Sequence, residues 1–329
     1  MSARLLPAIC LLAVLVISTR ALPKESVRQE LVRLQSQNGL TLAAFYRSIC
    51  IVLFDGRSML EGVELLPLGT AGEGAFTRDG TKLSLVLNHW QQGSRPYGTL
   101  GVVRHDGTGL QDYSDYGSSS EMCWSYDDTE VATGDLRIIT LGKNSNRVES
   151  AALPPDSRPS VSTQCWSPDG QHIVYGLEIG GHTTDKGPYA RGALSVWIYD
   201  IREGRSRELV EGSDPSWSPD GDWIAFRDGD NYYEIHPSGE GRKFLFHKKA
   251  TRSGLLWSTD SRIVAYMSHC EGFEGPWGFW DVGWVRLRVR RLSDNSEDWV
   301  AEVADSFQPR WQWVTNPELI KQVKSSPLR

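Results

Sequence analysis

Short runs of apolar, β-branched and aromatic residues recur along the chain, and clusters of Gly, Pro, Asp and Ser separate them. Residues 171–175 (Gln-His-Ile-Val-Tyr) and 222–226 (Asp-Trp-Ile-Ala-Phe) are two such runs, and each follows a turn-forming Pro-Asp-Gly. Runs of this length with this composition predict buried β-strands, and the clusters between them predict tight turns. The pattern therefore indicates an all-β protein.

The runs belong to an internal repeat. Trp-Ser-Pro-Asp-Gly occurs in full at 166–170 and at 217–221, and degenerate copies occur elsewhere. The aromatic residues that open the copies are separated by about 40 to 54 residues, the period of four-stranded propeller blades. These anchors are Phe76, Trp124, Trp166, Trp217, Trp257 and a final Trp311.

The chemistry of the repeat is that of a hairpin. Ser, Pro, Asp and Gly in this order suit a type I turn, because Pro presets φ and Ser bonds back to the backbone. The aromatic anchor ends a short inner strand, and its ring can fill the wedge between blades. We therefore interpret Asp169, Asp220 and their counterparts as architectural, since one catalytic function does not need five copies.

The motif resembles the WD40-like PD40 repeat of TolB and of the propeller domains of prolyl-oligopeptidase-type peptidases. The resemblance covers roughly residues 35 to 314. It implies a propeller and says little about function, because this fold hosts unrelated activities. TolB also has an α/β domain before its ring that the resemblance does not cover, so a role in the Tol–Pal system is not implied.

The two ends of the repeat region predict how the ring closes. Trp311 starts a blade that the following residues do not complete, whereas residues 40–45, 49–54 and 59–66 look like strands two to four of a blade. We expect residues 308–314 to pair with them. This gives a six-bladed β-propeller of four-stranded blades over 39–315, with one blade shared by the N- and C-terminal segments. Residues 316–329 are expected to be a polar tail.

Residues 22–38 precede the predicted ring. Val27, Leu31 and Leu34 are spaced for one apolar helix face, and Asn38-Gly39 can end a helix, so we predict a short helix or linker. The alternative is a ring that opens with residues 31–35 as its first strand, since 35–39 is a faint copy of the motif.

Residues 1–21 have the features of a signal peptide: Arg4, an apolar run from 5 to 17, and small residues before a cleavage point after Ala21. We expect an exported protein, periplasmic or secreted, with no transmembrane span after cleavage. The alternative is an uncleaved membrane anchor.

Charge argues against nucleic acid as a partner. The chain has 35 Lys and Arg against 41 Asp and Glu, a net charge of −6, and an acidic surface does not favour a phosphate backbone. Arg286, Arg288, Arg290 and Arg291 form the densest basic group. The first three alternate in a predicted strand, and we favour a solvated outer strand face over a polyanion site.

Four cysteines follow the signal segment. Cys123 and Cys165 occupy the same position in neighbouring repeats, too far apart for a disulfide, and are read as small buried hydrophobes. Cys50 and Cys270 can pair only if the fold brings them together.

The predicted connections between strands two and three are long in the blades opened by Phe76, Trp166 and Trp257. Connections of this type leave a propeller on the same face, and loops on a rigid scaffold often carry function. We predict a recognition surface for a protein, peptide or glycan there, on a monomeric protein. The alternative is that the loops fold over the ring and bury their own aromatics. The candidate residues are Trp90, Tyr97, His182, Tyr189, Arg191, Trp277 and Trp280.

Catalytic motifs are weak. Gly117-Ser-Ser-Ser120 is not a nucleophile elbow, and Asp228-Gly-Asp-Asn231 is more typical of a hairpin turn than of a calcium loop. We therefore predict a non-catalytic binding module with no cofactor and no metal. The alternative is a carbohydrate-active enzyme such as a metal-dependent polysaccharide lyase, with His89, His182 and His269 gathered near the long loops.

Overall fold

The computed structural model describes residues 25–46, 48–53, 60–67, 71–89, 97–117, 122–141, 147–150, 153–155, 157–180, 192–248, 254–269, 284–304 and 310–325. Within them lie six four-stranded antiparallel sheets, which are the blades of a six-bladed propeller. This confirms the all-β, six-bladed prediction.

The strands follow one another from the centre of the ring outward in each blade. The shared blade 1 consists of β24 (Arg310–Val314), β1 (Thr41–Tyr46), β2 (Ile49–Leu53) and β3 (Leu60–Glu64). Blade 2 consists of β4 (Ala71–Phe76), β5 (Lys82–His89), β6 (Tyr97–Arg104) and β7 (Gln111–Gly117), and blade 3 of β8 (Met122–Trp124), β9 (Glu130–Thr133), β10 (Arg137–Thr140) and β11 (Arg147–Ser150).

The second half of the ring repeats this arrangement. Blade 4 consists of β12 (Ser157–Trp166), β13 (His172–Ile179), β14 (Ala193–Asp200) and β15 (Arg205–Glu211). Blade 5 consists of β16 (Ser213–Trp217), β17 (Ile224–Asp228), β18 (Asn231–Ile235) and β19 (Lys243–His247), and blade 6 of β20 (Leu256–Trp257), β21 (Ile263–His269), β22 (Trp284–Arg291) and β23 (Glu297–Ala304).

Blade 1 closes the ring by pairing both ends of the repeat region. β24 is its innermost strand and runs antiparallel to β1, with Thr41 opposite Val314 and Phe45 opposite Arg310. The backbone N–H of Phe76 in blade 2 also donates to the Gln312 side chain, at 2.6 Å. The predicted shared blade is confirmed.

Helix α1 (Val27–Asn38) precedes the ring, as the sequence analysis expected. Ser26 and Gln29 form a capping box at its start, and Gly39 ends it in the left-handed conformation with φ 61°. Val27 and Leu31 are buried against the core of blades 1 and 6. Residues 31–35 are therefore helical, and the alternative of a first strand there is wrong.

The expected polar tail is corrected over most of its length. Helix α2 (Pro317–Ser325) follows the ring, and Leu319 and Val323 on it are buried with apolar residues of blades 1 and 2. Asn316 caps this helix by accepting from the N–H groups of Glu318 and Leu319, and its own amide donates to Gly80 O at 2.6 Å. The sequence gives little sign of this helix, because only two apolar side chains, Leu319 and Val323, form its buried face.

The prediction of a solvated arginine face is also wrong. Arg286, Arg288 and Arg290 do share one face of β22, but it faces blade 5, and the side chains of Arg288 and Arg290 are only 12% and 14% exposed. Arg291 points the other way and binds Glu30 of α1 at 2.6 Å. Carboxylates of the adjacent strand β23 pair with the first three arginines, and Glu30 of α1 pairs with Arg291.

No disulfide bond joins the cysteines within the described residues, which are Cys50, Cys123 and Cys165. Cys50 is fully buried in blade 1, and burial raises the pKa of its thiol. Cys123 and Cys165 are half-buried beside the anchors that follow them, so they are less buried than predicted. Cys270 lies outside the described residues.

Candidate binding face of the long loops

The repeat turns define one face of the ring. Each turn joins the inner strand to the second strand. The fifth residue of the repeat, counted from the anchor, has a positive φ: 66° at Gly80, 69° at Gly170 and 84° at Gly221. Asp128 and Ser261 take the same conformation without being glycine, with φ of 58° and 57°. The turn geometry is therefore kept even where the sequence of the repeat degenerates.

The aspartate side chains of the repeat form hydrogen bonds within these turns. In blade 4, Asp169 accepts from Ser167 Oγ at 2.5 Å and from the Gln171 N–H at 2.9 Å, and Ser167 Oγ accepts from the His172 N–H at 2.9 Å. Burial alone would raise the pKa of Asp169, but these hydrogen bonds outweigh it and the pKa lies below its ordinary value. The same Ser or Thr to Asp bond recurs at Asp79, Asp127, Asp220 and Asp260.

The aromatic anchors fill the seams between blades. The indole nitrogen of Trp124 donates to Ala75 O at 3.0 Å, that of Trp166 to Cys123 O at 3.2 Å, and that of Trp257 to Ser216 O at 3.3 Å. In each case the acceptor precedes the anchor of the preceding blade. Trp217 differs, because its indole donates to Gly221 O of its own blade.

Phe76 and Trp311 occupy the remaining anchor positions. Both are buried, at 3% and 7% exposure, in the cores on the two sides of the shared blade. The set of anchors is thus architectural.

The opposite face carries the connections between strands two and three. In blades 2, 4 and 6 these connections run from His89 to Tyr97, from Ile179 to Ala193 and from His269 to Trp284. In blades 1, 3 and 5 they are hairpins of two or three residues. Long and short connections therefore alternate around the ring, which places the long ones at every second blade of a single face, the long-loop face.

The predicted site residues belong to these long connections. Tyr97 is the first residue of β6, and its backbone pairs with His89. The others, Trp90, His182, Tyr189, Arg191, Trp277 and Trp280, lie outside the described residues. They remain predictions, as does the alternative that the loops bury their own aromatics.

The strands hold the bases of the long connections in place. In blade 4 the pairing of β13 with β14 continues to Ile179 and Ala193, and Glu178 accepts from the Gly192 N–H at 2.7 Å. In blade 6 the ladder continues to His269 opposite Val285. Each long connection therefore starts from an ordered two-stranded ribbon.

The short connections are tight turns, as predicted for 228–231. Asp228 pairs with Asn231 across the hairpin, Gly229 has φ 59°, and Arg242 binds the Asp228 carboxylate at 3.0 Å. In blade 3, Asp135 accepts from Thr133 Oγ1 and from Arg137 Nε, both at 2.6 Å. The Asp135 carboxylate therefore stabilises its own hairpin, whereas the Asp228 carboxylate binds the connection between β18 and β19.

A buried ion pair on the long-loop face was not predicted. Asp214, at the start of β16, is 3% exposed and lies 2.6 Å from Arg227 Nη2 of β17. Its φ of 53° belongs to a bulge between β16 and β17. Nothing in the repeat indicates this pair, because the neighbouring copies have other residues at its positions.

Within the described residues, no group of three or more His, Cys, Asp or Glu side chains is arranged to hold a metal ion.

Among the helices of those same residues, none has the length and apolar character needed to cross a membrane.

Comparison with known proteins places the fold. No family model matches the chain. Dipeptidyl-peptidase 5 from Porphyromonas gingivalis is 24% identical over 187 residues, which are 51% of this chain and 26% of the peptidase. The chain therefore matches about a quarter of that relative's length.

Two solved structures are similar to the ring. TolB from Acinetobacter baumannii is 14% identical, with a TM-score of 0.53, over 83% of this chain and 66% of TolB. A putative TolB from Agrobacterium tumefaciens is 16% identical, with a TM-score of 0.48, over 80% of this chain and 89% of that one.

At these identities the likeness is one of fold. The chain is a six-bladed β-propeller, as its repeats predict, and its fold is similar to that of TolB.

Proposed function

We propose that the protein is a non-catalytic binding module that holds a protein, peptide or glycan on its long-loop face. The observation that carries this proposal is the alternation of long and short connections. Blades 1, 3 and 5 close with two or three residues, so blade packing does not require the insertions in blades 2, 4 and 6. Insertions on a rigid scaffold at one face are typical of a recognition surface.

The three insertions share a sequence feature. Pro, then an aromatic residue, then Gly or Ala occurs in or at the end of each: 96–98 (Pro-Tyr-Gly), 188–190 (Pro-Tyr-Ala) and 276–278 (Pro-Trp-Gly). In blade 2 the last two of these residues already belong to β6. Proline reduces the conformational entropy that binding must overcome, and aromatic rings provide large contact areas that dominate many interfaces. Three copies at alternate blades suit one extended ligand or one partner surface.

Replacement of Trp277 and Trp280 together by Ala tests this proposal. We expect the double variant to lose binding to a glycan array and to a partner co-purified from the envelope fraction, with little change in melting temperature. The matched control is Phe244→Ala, which removes a ring that is 53% exposed on the outer strand β19, away from the long-loop face.

Two results would contradict the proposal. Unfolding of the double variant would mean that the two rings form a buried lid. Release of unsaturated sugar from an acidic polysaccharide by the wild-type protein would mean that the propeller is a lyase.

We also propose export, to the periplasm or outside the cell, on the strength of residues 1–21. N-terminal sequencing of the protein from the exported fraction should then begin at Leu22. A mature protein that begins at Met1 or Ser2 would instead favour an uncleaved anchor.

A further inference from the structure

The seam between blades 4 and 5 lacks the indole bond that crosses three other seams of the ring. The anchors Trp124, Trp166 and Trp257 donate to a carbonyl of the preceding blade, whereas the indole of Trp217 turns back to Gly221 O of its own blade, at 3.2 Å. The anchor of blade 5 therefore forms no indole bond to blade 4. A cleft of about 240 Å³ lies here, between the repeat turns of the two blades.

A glycine at the fifth position of the repeat leaves this space open. In blade 3 that position holds Asp128, whose carboxylate accepts from the N–H groups of Arg78 and Asp79 in blade 2 and so fills the seam. In blade 5 it holds Gly221, and a Cβ built there meets only Pro168 of blade 4, at 3.9 Å. The cleft therefore occupies the space into which a side chain at position 221 would extend.

The walls of the cleft combine apolar surface with three carboxylates. Pro168 of blade 4 and Trp217 of blade 5 supply the apolar part. Asp169, Asp220 and Asp222 supply the carboxylates, and all three residues are exposed. A charged group that enters the cleft thus reaches both kinds of surface from solvent.

The chain does not balance the negative charge of the cleft. Among the described residues, no Lys or Arg forms an ion pair with the three carboxylates, and their ionic contact is with His172 Nδ1, 4.0 Å from Asp169 Oδ1. Burial acts to raise the pKa of Asp169 and of Asp220, but hydrogen bonds within their turns outweigh it, so both pKa values lie below the ordinary value. Even with His172 protonated, two negative charges remain.

We propose that this cleft binds a guanidinium or ammonium group, carried by an arginine or lysine side chain of a partner protein or by a free organic amine. Such a group balances the carboxylates, donates hydrogen bonds to them and lays its apolar stem on Pro168 and Trp217. The chain uses the same chemistry at the seam of blades 2 and 3, where Arg78 Cζ lies 4.6 Å from the centre of the Tyr126 ring, near the Asp128 carboxylate.

The cleft lies on the face of the repeat turns, opposite the long-loop face, so this inference does not depend on the proposed function. Titration of isotopically labelled protein with Nα-acetyl-arginine amide, followed by NMR, tests it. The neutral Nα-acetyl-citrulline amide, of nearly the same shape, is the control for charge. We expect saturable shifts of the Gly221 and Asp222 N–H signals and of the Trp217 indole signal with the arginine compound, and none with the citrulline compound.

Agmatine distinguishes the two sources of the cation, because it carries the guanidinium group without the peptide groups. Tighter binding of agmatine than of the arginine compound indicates a free amine as the ligand. The reverse order indicates a side chain of a partner protein.

Two pairs of variants test space and charge separately. Gly221→Asn should abolish binding by filling the cleft, and Asp128 shows that this repeat position accepts a residue other than glycine at positive φ. Gly170→Asn, the same change in blade 4, should leave the affinity within about twofold. Asp222→Asn should weaken binding about threefold, the loss expected for one exposed charge pair. Asp230→Asn, the same charge change on the long-loop face of blade 5, should have no effect.

Asp222→Asn also covers the case in which Gly221→Asn fails to fold. The Asp222 carboxylate forms no hydrogen bond or ion pair within the described part of the chain, so its replacement leaves the turn intact. Equal binding of the arginine and citrulline compounds, unchanged binding by folded Gly221→Asn, or equal losses in Asp222→Asn and Asp230→Asn would each overturn the proposal.

Discussion

The indole nitrogen of Trp166 donates a hydrogen bond to the backbone carbonyl of Cys123, 3.2 Å away in the preceding blade. Because Trp166 is 1% exposed, this bond ties two blades together where water does not compete.

Trp166→Ala should therefore lower the free energy of unfolding by about 3–5 kcal/mol, as other large-to-small core changes do. Trp166→Phe keeps most of the ring but leaves Cys123 O without its donor, at a cost of about 1–3 kcal/mol. Chemical denaturation measures both. Trp217→Phe is the matched control and should cost less, because the bond it removes lies within one blade. Equal costs at the two positions would show that the bond between blades adds nothing.

The second prediction concerns helix α2. Leu319→Ala should cost about 2–4 kcal/mol, because the side chain is fully buried against blades 1 and 2. A chain that ends after Ser325 keeps the helix and should melt like the wild type. A chain that ends after Thr315 loses it and should melt lower. If the two truncated chains have the same melting temperature, α2 does not stabilise the ring, and residues 316–329 behave as a tail.

Removal of β24 tests the shared blade. A chain that lacks residues 306–329 leaves β1 without its inner partner, so the exposed edge should cause aggregation. Light scattering and size-exclusion chromatography detect this. A monomeric, folded product would contradict the pairing of β1 with β24.

The left-handed turn position gives a fourth prediction. A Cβ built on Gly170 meets nothing within 4 Å, so a substitution there changes backbone strain and little else. Gly170→Ala should cost about 1–2 kcal/mol, the penalty of a left-handed L-residue. Gly170→Asn should cost less, since Asn tolerates this conformation. If chemical denaturation shows a larger loss of stability for Gly170→Asn than for Gly170→Ala, the left-handed conformation assigned to residue 170 is contradicted.

Glu297 provides a pH dependence. Burial acts to raise its pKa, but the hydrogen bond from Tyr266 and the charges of Arg290 and Lys248 outweigh it, so the folded-state pKa lies below the ordinary value. A depressed folded pKa means that the carboxylate stabilises the fold above the unfolded pKa of about 4.3 and that this contribution is lost as pH falls through the folded pKa.

The unfolding free energy of the wild type should therefore fall more steeply than that of Glu297→Gln from about pH 5 to about pH 3. Denaturant titrations give both slopes. Parallel slopes would mean that Glu297 has the same proton affinity in the folded and unfolded chains.

Most of the fold follows from the sequence, because the repeat is local. Ser167, Asp169 and Gly170 form their turn by contacts within five residues, and the same contacts predict four more turns around the ring. The closure of the ring was also predictable, since Trp311 is an anchor that the following residues do not extend into a blade. What sequence reasoning missed depends on contacts between distant segments. Leu319 is buried by the propeller, and Arg290 by Phe246 of another blade.

The candidate site is less predictable for the same reason. The long connections can be assigned to one face of the ring from the sequence, because the order of the strands in a blade determines at which face each strand ends. The partners of a loop side chain depend on loops from other blades, for which the repeat gives no rule. The pairing of Asp214 with Arg227 was missed for a different reason, since it lies within one blade and depends on a local bulge that no motif records.

The pairing of β1 with β24 also sets an order of assembly. During synthesis β24, the partner of β1, emerges after the other described strands of the ring, so the other five blades can form while blade 1 still has an open edge. Contacts between such distant segments form slowly, because a long loop must close before they are made. The open ring is thus the species most exposed to self-association, and closure by β24 is the step that ends this exposure.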